Sequence, residues 1–320
     1  MFAVNNSLKM FLLMAEELSF VKAANKAFIT QQCLSDHIKR LEEKYGTKLF
    51  YRKPKIALTP AGEILRDAVL QISLIENNLE SMIDQLEHGV RGTLHLGINP
   101  NRAAILLPRI FPAFHEKFPY VNLKVHLEDT AVMEEAVREG KMDAFMGVNT
   151  HMDMLFDAMY LAYEDLYLVI SDKTVKKYFA DDYPECVDRF SSEARLESFQ
   201  QIPTLQRNNP SRLTDVVEEY CCRNNIMLNT IFSINDFLTQ LDLCRRMDIQ
   251  VVMPSMCIQT LLELNHSCAG ESRLYAFPLK GLDKSLRLDF IVRHGINQPC
   301  YVREIYESIK KECQKLTGRP

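Results

Sequence analysis

The chain has 320 residues, of which 47% are apolar and 25% are charged. This length and this apolar content suffice for two or three domains with hydrophobic cores, which excludes a disordered or fibrous protein. The first twenty residues include polar and charged side chains, and no later apolar run reaches about eighteen residues. We therefore expect no signal peptide, no membrane contact and a location in the cytoplasm.

The nine cysteines are an odd number and form neither a CxxC pair nor a cluster with histidine at zinc spacing. This pattern argues against a disulfide framework or a structural metal, and it suits a reducing compartment. The motifs GxSxG, GxxxxGK[ST], GxGxxG and HExxH are absent from the sequence. We therefore expect no metal, no cofactor and no enzymatic activity.

The charge is unevenly distributed along the chain. The net charge is −4, but residues 1–58 carry ten Lys and Arg against five Asp and Glu, a balance of +5 that leaves −9 for the remainder. Such an asymmetry is expected when one end of a protein binds a polyanion. The N-terminal segment is therefore the candidate for binding nucleic acid.

Three helices are predicted in this basic segment. Apolar residues at intervals of three and four predict a helix over 7–18 with Ser7 as its N-cap. Ser19 is the predicted N-cap of a short second helix, and Thr30 is that of a third helix over 31–45. The second and third helices are joined tightly, as in a helix-turn-helix.

The third predicted helix turns a polar and basic face outward. Amide side chains can pair with adenine, and Arg or Lys can reach guanine or phosphate. The polar positions on or beside this face are Thr30, Gln31, Gln32, Ser35, Asp36, His37, Lys39 and Arg40. The periodicity alone fits equally well a solvated helix in any small α-helical bundle.

A longer run of residues resembles the N-terminal signature of LysR-type transcriptional regulators over about fifty positions without a gap. The matching residues are Ser19-Phe20, Ala23-Ala24, Thr30 to Gln32, Leu34-Ser35, Ile38 to Glu42, Gly46 to Arg52 and Leu58 to Gly62. The resemblance implies that the helix beginning near Gln31 enters the major groove of double-stranded DNA and that residues 48–58 form a wing. Base reading would then fall to Gln31, Gln32, Ser35 and His37. Phosphate contacts would fall to Arg52, Lys53 and Lys55.

The sequence departs from the family pattern on the third helix. Gln32 and Cys33 stand where the family commonly has Pro and Ala, and Asp36-His37 replaces a common Arg-Gln or similar polar pair. The Asp36 carboxylate can accept a hydrogen bond from cytosine, or it can weaken binding by repelling phosphates. The operator sequence therefore cannot be carried over from relatives.

A long helix is predicted over 59–89, between the start signal Thr59-Pro60 and the stop signal of Gly89 and Gly92. An apolar seam repeats along it at spacings of three and four for about three heptads. The seam consists of Leu65, Ala68, Ile72, Ile75, Leu79, Met82 and Leu86. It predicts either self-association or packing on the chain's own C-terminal domain. The resemblance favours a homodimer and, in the family, a dimer of dimers, or homotetramer.

Strand and helix patterns alternate in the rest of the chain. Strands are predicted at 93–98, 121–127 and 166–170, and helices at about 102–117, 130–139, 211–224, 235–246 and 299–315. This order predicts an α/β domain of two lobes with a cleft. The fold class is therefore mixed, with a winged helix-turn-helix at 1–58, a linker helix at 59–89 and a two-lobed α/β domain at 90–320. Lobe 1 is predicted at about 92–162 and 267–320, and lobe 2 at about 163–266.

Parts of this C-terminal region resemble the effector domain of the same family, whose fold is related to periplasmic solute-binding proteins. The segment 92–98 resembles the family's opening strand, 107–119 its first helix and turn, and 142–147 its next strand. The resemblance is weaker beyond residue 200. At 247–254 the terminal Pro254 matches, but the usual glycines before it are absent.

The resemblance implies that a small-molecule effector binds between the lobes, where strand ends and helix N-termini direct backbone N–H groups. The candidate effector-binding residues by position are Asn99, Pro100, Asn101, Arg102, Asn149, Thr150, Thr204, Gln206, Pro254 and Ser255. Arg102 and the helix N-termini favour an anion, and a small carboxylate is our hypothesis. For each residue a purely structural role, such as shaping a turn, is the alternative.

The sequence therefore predicts a sequence-specific DNA-binding regulator of transcription that is controlled by a small-molecule effector, with RNA polymerase as a further candidate partner. Two other functions stay open. One is a cysteine-based redox sensor, which could use the adjacent Cys221 and Cys222 together with Cys244, Cys257 and Cys268. The alternative for these cysteines is the commoner one, in which cysteine is a buried apolar residue. The C-terminal part alone would fit a solute-binding protein, which the basic N-terminal segment disfavours.

Overall fold

The computed structural model describes residues 6–88, 90–208, 211–267, 272–282, 286–296 and 298–318, with side chains in the linker helix as far as Leu79 apart from those at 74, 77 and 78. The chain divides into two compact units. The first comprises Met1–Gly92 with the short segments Arg138–Lys141 and Gly295–Pro299, and the second comprises Thr93–Val137, Met142–His294 and Cys300–Pro320. Within the described ranges, no helix is both long enough and apolar enough to span a bilayer.

The N-terminal unit is a winged helix-turn-helix followed by a long helix. Its elements are α1 (Asn6–Glu17), α2 (Phe20–Lys26), α3 (Gln31–Tyr45), β1 (Phe50–Tyr51), β2 (Ala57–Leu58) and α4 (Pro60–His88). Strands β1 and β2 pair in antiparallel fashion and form the wing. Apolar faces of the three short helices and of the wing share one buried core, formed by Phe11, Met14, Ala23, Ala24, Leu34, Ile38, Leu41, Leu49 and Phe50.

The helix starts follow from local hydrogen bonds. The Ser19 and Thr30 hydroxyls each accept a hydrogen bond from the backbone N–H three residues later, so the predicted N-caps of α2 and α3 are confirmed. The prediction that Ser7 caps α1 is wrong, because the helix already includes Asn6 and buries Ser7. Gly46 ends α3 with a φ of +66°, a left-handed conformation that glycine adopts without strain.

Three residues fasten the wing to the helices on either side of it. The buried Glu42 carboxylate of α3 accepts hydrogen bonds from Lys48 Nζ at 2.7 Å and from the Leu49 backbone N–H at 3.1 Å. Thr59 donates its hydroxyl to the Lys48 carbonyl at 2.6 Å and accepts from the Gly62 N–H at 3.0 Å. A Cβ at Gly62 would lie 2.2 Å from the Leu49 carbonyl oxygen, so this approach requires glycine. The recognition helix, the wing and the long helix are thus held as one structure.

The C-terminal unit contains two five-stranded sheets, one in each lobe. Its strands are β3 (Gly92–Ile98), β4 (Val121–Leu127), β5 (Ala144–Val148), β6 (Phe156–Glu164), β7 (Leu166–Ser171), β8 (Thr204–Gln206), β9 (Thr230–Ser233), β10 (Gln250–Pro254), β11 (Leu274–Pro278) and β12 (Leu286–Arg293). The strand order is β4-β3-β5-β12-β6 in lobe 1 and β11-β7-β10-β8-β9 in lobe 2. The chain crosses between the lobes twice, after β6 and before β12.

The helices of this unit follow the strands as the α/β pattern predicts. They are α5 (Pro100–Lys117), α6 (Thr130–Arg138), α7 (Asp172–Tyr178), α8 (Glu185–Ser192), α9 (Arg212–Asn224), α10 (Phe237–Arg246), α11 (Ile258–Ser267) and α12 (Cys300–Thr317). Strands β3 and β5 run parallel, which requires a crossover, and β4 and α6 lie between them in sequence. Helices α5, α6, α9 and α10 begin next to the cleft between the lobes and supply most of its lining.

The lobe boundary differs from the sequence prediction. The prediction assigned residues 267–320 to lobe 1, but β11 pairs in antiparallel register with β7 at the edge of the lobe 2 sheet. Lobe 2 therefore extends to residue 278, and the return to lobe 1 comes only before β12. The segment ending in Pro254 is the central strand β10 of lobe 2, although the glycines usual before it are absent.

Candidate DNA-binding surface and interlobe cleft

Helix α3 presents most of the predicted DNA-contacting residues to solvent. Its apolar side packs into the core of the N-terminal unit, which forces the polar residues outward. Exposed side chains on and before α3 are Thr30, Gln31, Gln32, Asp36, Lys39 and Arg40, while Ser35 and His37 are half-buried. The wing residues Arg52, Lys53 and Lys55 are exposed as well. These positions stay predictions for DNA contact.

Two surface depressions flank the exposed face of α3. One is lined by Phe20, Gln31, Gln32, Ser35, Asp36, Arg52 and Ile56. The other is lined by Thr30, Gln32, Cys33, Asp36, His37 and Arg40. Gln32 and Asp36 belong to both linings, so they form the ridge between the two depressions.

The wing cation nearest to α3 is held by an aromatic ring. The Arg52 guanidinium lies 5.7 Å from the centroid of the Phe20 ring, a distance typical of a cation–π contact. The contact brings a wing arginine to the same depression as Gln31 and Ser35. The groups predicted to bind phosphate and to read bases are therefore adjacent.

His37 is partly committed to the fold. Its Nδ1 lies 2.9 Å from the Ser7 hydroxyl of α1, so one ring nitrogen pairs within the protein. The predicted base reading by His37 would therefore use its other ring nitrogen, Nε2. The hydrogen bond also gives Ser7 a role other than capping, because it ties the start of α1 to the recognition helix.

The seam of α4 divides into a docked part and an exposed part. Leu65 packs against the core of the N-terminal unit, whereas Ala68 is exposed. Ile72, Ile75 and Leu79 have 43%, 52% and 52% of their surface exposed, which is unusual for large aliphatic side chains on one helix face. The remaining seam residues, Met82 and Leu86, lie outside the described side chains.

The cleft between the two lobes of the C-terminal unit encloses a cavity of about 70 Å³. Lobe 1 contributes Asn99, Arg102, Asp129, Thr130, Ala131, Val148 and Leu286, and lobe 2 contributes Arg207, Ser211, Arg212, Leu213, Asp215, Phe237 and Pro254. Asn99, Arg102 and Pro254 are the sequence-predicted residues among them. Three arginines and two aspartates give the cavity a strongly charged lining.

Arg102 is neither a surface charge nor a free anion ligand. It is buried on α5 and forms an ion pair with the fully buried Glu164 at the end of β6. Burial alone would lower the pKa of Arg102, but the Glu164 carboxylate raises it above its ordinary value. Glu164 also accepts a hydrogen bond from the backbone N–H of Met256 in lobe 2 at 3.2 Å. This ion pair directs the Arg102 charge to Glu164, and the predicted contact of Arg102 with an effector stays a prediction.

Arg207 of lobe 2 is a second buried arginine of the cavity lining, and its contact with a carboxylate is longer than that of Arg102. Its guanidinium is 5.1 Å from the Phe237 ring centroid, and its Nη2 lies 3.5 Å from Asp129 Oδ1 across the cleft. Burial and the neighbouring Arg102 charge lower the pKa of Arg207. Arg207 is therefore less closely paired than Arg102, because its carboxylate partner is partly exposed and lies 3.5 Å away.

Amide side chains join the lobes beside this pair. Asn101 donates from Nδ2 to the Asn235 carbonyl at 2.8 Å and accepts from the Phe237 N–H at 3.0 Å. Asn99 caps α5 by accepting from the Asn101 N–H, and it donates to Asp129 Oδ1 at 2.9 Å. The predicted residues Asn99 and Asn101 thus organise the cleft, and they do so mainly through bonds to protein groups.

The remaining predicted effector residues are placed outside the cavity lining. Asn149 accepts from the Arg287 N–H at 2.8 Å, and Thr150 packs over Gly147, where an added Cβ would lie 2.0 Å from its hydroxyl. Thr204 accepts from Gln250 in the lobe 2 core, and with Gln206 it lines a separate small pocket under α9. Pro100 is an exposed first residue of α5, and Ser255 follows β10 as a buried residue. These six residues lie outside the lining of the cleft cavity, and their roles as effector ligands stay predictions.

Two family descriptions together match nearly the whole chain. Residues 5–63 match the bacterial regulatory helix-turn-helix proteins of the lysR family, and residues 87–314 match the LysR substrate binding domain. The chain belongs to the LysR family. Membership places it among regulators of transcription, not among enzymes.

Individual relatives agree with this assignment. The chain is 35% identical over 121 residues to an uncharacterized HTH-type transcriptional regulator, YkuM, of Bacillus subtilis, a match that covers 38% of this chain and 41% of the relative. It is 31% identical over 224 residues to a probable RuBisCO transcriptional regulator of Thalassiosira pseudonana, which covers 66% and 73%. The match to YkuM thus spans less than half of that relative's length.

A solved LysR-family structure shares the fold along the chain. A full-length variant of OxyR from Pseudomonas aeruginosa superposes with a TM-score of 0.64 at 19% identity, covering 95% of this chain and 93% of that one. At this identity the likeness concerns the fold alone. It confirms the predicted fold class, a helix-turn-helix followed by a two-lobed domain.

The cysteines of this LysR-family chain are mostly apolar core residues. Burial raises the pKa of Cys186, Cys244, Cys257 and Cys313, and it raises the pKa of Cys221 to about 11. A thiol that stays protonated at neutral pH is a poor nucleophile. Cys33, Cys222 and Cys300 are exposed, and Cys268 lies outside the described residues. The buried thiols therefore lack the chemistry of an oxidant sensor.

The residues that sequence reasoning missed are the charged groups facing each other across the cleft. Arg207 and Arg212 precede and open α9, whereas Asp129 and Glu134 precede and occupy α6. Each was an ordinary polar residue near a helix start in the sequence. The available signal was position alone, because in a two-lobed α/β domain the segments that lead into helices from strand ends line the cleft.

Proposed function

We propose that this LysR-family chain binds specific sequences of double-stranded DNA and regulates transcription there. The observation that carries the proposal is the surface of α3, where a helix capped by Thr30 exposes Gln31 and Gln32 beside Arg40 and the wing cation Arg52. Amides and guanidinium groups are the side chains that read purine edges in the major groove. The anchoring of α3 to the wing supports a rigid reading head.

We further propose that a small anionic molecule binds in the interlobe cleft and controls DNA binding. Arg207 and Arg212 bring two guanidinium groups to a cavity inside the region that matches the LysR substrate binding domain. Arginine pairs well with carboxylates and phosphates because its donors form a fork. A small carboxylate fits both this chemistry and the size of the cavity.

The proposal extends to assembly and partners. The exposed apolar stripe of Ala68, Ile72, Ile75 and Leu79 supports pairing of two α4 helices into a homodimer, whose two reading heads would suit DNA with two-fold symmetry. A dimer of dimers is the further step that the family resemblance favours. Bound beside a promoter in the cytoplasm, such an assembly would meet RNA polymerase.

Selection of duplexes from a random-sequence pool tests the DNA-binding part. The full-length chain should recover duplexes that share one sequence with two-fold symmetry. The double variant Gln31→Ala, Gln32→Ala should recover none above background, while Gln200→Ala, Gln201→Ala in the other unit should behave like the wild type. Recovery of the same sequence by both double variants would contradict the assignment of α3 as the reading head.

A further inference from the structure

Among the described residues, two ion pairs cross the cleft at the cavity, and in both the cation belongs to lobe 2 and the carboxylate to lobe 1. Arg207 of lobe 2 lies 3.5 Å from Asp129 of lobe 1, and Arg212 of lobe 2 lies 3.5 Å from Glu134 of lobe 1. The cations come from the short segment 207–212 that leads into α9, and the carboxylates come from 129–134 at the start of α6. Relative movement of the lobes therefore has to stretch or break both pairs.

The two pairs differ in how well the carboxylate is fixed. Glu134 is buried and also accepts a hydrogen bond from the His151 backbone N–H at 3.1 Å. The Asp129 side chain is 36% exposed, whereas its partner Arg207 is only 7% exposed. A buried guanidinium facing a partly hydrated carboxylate at 3.5 Å is incompletely compensated, since the close charge-assisted bond is shorter.

The other charged groups near Arg207 do not compensate its positive charge. Arg102 adds a second positive charge next to it and lowers its pKa, and the Arg102 charge is itself directed to Glu164. Asp215 lines the same cavity but is exposed on the first turn of α9. An anion that reached Arg207 more closely than Asp129 does would therefore be bound favourably.

We propose that Asp129 is an internal competitor for the carboxylate of the effector, and that Arg207 exchanges one for the other. The inference rests on the proposed function, because it assumes that the cleft holds an anionic effector. In the exchange the Arg207–Asp129 pair is broken and an Arg207–carboxylate pair is formed. Asp129 keeps its hydrogen bond from Asn99 at 2.9 Å and its contact with water, so it is released without being left buried and unpaired.

The exchange is coupled to the contact between the lobes through one carbonyl group. The Asn235 carbonyl accepts from Arg207 Nη1 at 3.2 Å and from Asn101 Nδ2 at 2.8 Å. Arg207 belongs to lobe 2 and Asn101 to lobe 1. When the Arg207 guanidinium turns toward a ligand, the Asn235 carbonyl loses the hydrogen bond from Arg207, and the Arg207–Asp129 ion pair across the cleft is broken as well. Effector binding then changes how firmly the lobes are held together, which is the signal that a regulator has to transmit.

Titration of acetate into the full-length protein at constant ionic strength tests the exchange, with acetate as the probe for the carboxylate group. Asp129→Asn removes the competitor but keeps the oxygen that accepts from Asn99, and it should bind acetate about fivefold or more tightly than the wild type. Arg207→Gln should bind no acetate. The matched control Asp215→Asn removes a carboxylate from the same cavity without touching Arg207, and its affinity should stay within about twofold of the wild type.

Hydrogen exchange at the Phe237 backbone N–H gives a second readout that needs no ligand. This N–H donates across the cleft to Asn101 Oδ1, so its protection reports on the contact between the lobes. Exchange should be faster in Asp129→Asn than in the wild type, and acetate should accelerate it in the wild type. Unchanged exchange in both cases would overturn the coupling.

Affinities that are equal for the wild type and Asp129→Asn would overturn the competitor role. Acetate binding that survives in Arg207→Gln would overturn the anchor role of Arg207. Neither result would affect the proposed DNA-binding function, which is tested without a ligand by duplex selection. Conversely, if the duplex selection recovered no shared sequence, the acetate titrations would still test the exchange at Arg207.

Discussion

At the scale of single residues, the caps of α2 and α3 depend on local hydrogen bonds, whereas the ion pair of Arg102 depends on the fold. The Ser19 and Thr30 caps involve a backbone group three residues away, so their pattern is visible in the sequence. Arg102 could not be assigned in this way, because its partner Glu164 is 62 residues distant. A charged residue next to a helix start looks the same whether it binds a ligand or a distant carboxylate, and only the fold distinguishes the two.

Gln32 is the residue whose substitution separates base reading from other roles. It lies on the ridge between the two depressions of α3 and replaces a proline common in the family. Gln32→Ala should cost about 1–3 kcal/mol of binding free energy on the best selected duplex and less on random DNA. Fluorescence anisotropy on both duplexes measures the difference, and an equal loss on both would assign Gln32 to phosphate positioning or to the fold.

At the scale of elements, apolar periodicity predicted the helices of the N-terminal unit and the linker helix. The start signals at Ser19, Thr30 and Thr59-Pro60 placed the beginnings of α2, α3 and α4, whereas that proposed for α1 at Ser7 was wrong. The wing was expected from the family resemblance alone, since two strands of two residues carry no usable alternation. Its geometry depends on contacts that Glu42, Thr59 and Gly62 make with residues 48 and 49. These residues belong to the family signature, and the structure gives their physical reason.

Gly62 provides a test of this wing anchor. Glycine to alanine inside a helix ordinarily stabilises a protein, because alanine has the higher helix propensity. Gly62→Ala should instead destabilise the N-terminal unit by about 1–3 kcal/mol, since its Cβ would meet the Leu49 carbonyl oxygen at 2.2 Å. Chemical denaturation measures the free energy of unfolding, with the exposed neighbour Glu63→Ala as the control. A stabilised Gly62→Ala variant would refute the close approach.

The exposed stripe on α4 predicts how assembly responds to charge. Ile72→Glu or Leu79→Glu should raise the dissociation constant of the homodimer by about tenfold or more, because a carboxylate is costly to bury in an apolar seam. Ser73→Glu adds the same charge one residue away from the stripe and should have little effect. Sedimentation equilibrium measures all three, and dissociation constants equal to that of the wild type would favour the alternative that the seam packs on the chain's own domain.

At the scale of the whole molecule, the order of elements together with the family resemblance predicted a winged helix-turn-helix, a linker and a two-lobed α/β domain, and this fold class is confirmed. The lobe boundary was the main error. Strand β11 follows a helix of lobe 2 and precedes β12 of lobe 1, and its pairing with β7 joins residues about a hundred positions apart. Pairing between strands that are so far apart in the chain cannot be seen in local periodicity.

The buried thiols of this chain are expected not to respond to peroxide. The raised pKa of Cys221 and Cys257 keeps these groups protonated near neutral pH, where the thiolate would be the reacting form. In a background with Cys33→Ala, Cys222→Ala, Cys268→Ala and Cys300→Ala, which keeps only the buried thiols, mild hydrogen peroxide should change DNA affinity less than about twofold. A large loss that a reducing agent restores would revive the redox-sensor hypothesis.

The most direct test of the central claim is the affinity of the full-length protein for a duplex selected from genomic DNA, compared with a scrambled duplex of equal length at two salt concentrations. We predict a site of two-fold symmetry that is bound about a thousandfold or more tightly than the scrambled duplex. Binding of both duplexes should weaken with salt as phosphate contacts are lost, while the preference persists. Equal, salt-sensitive binding of the two duplexes would contradict the claim that α3 reads sequence.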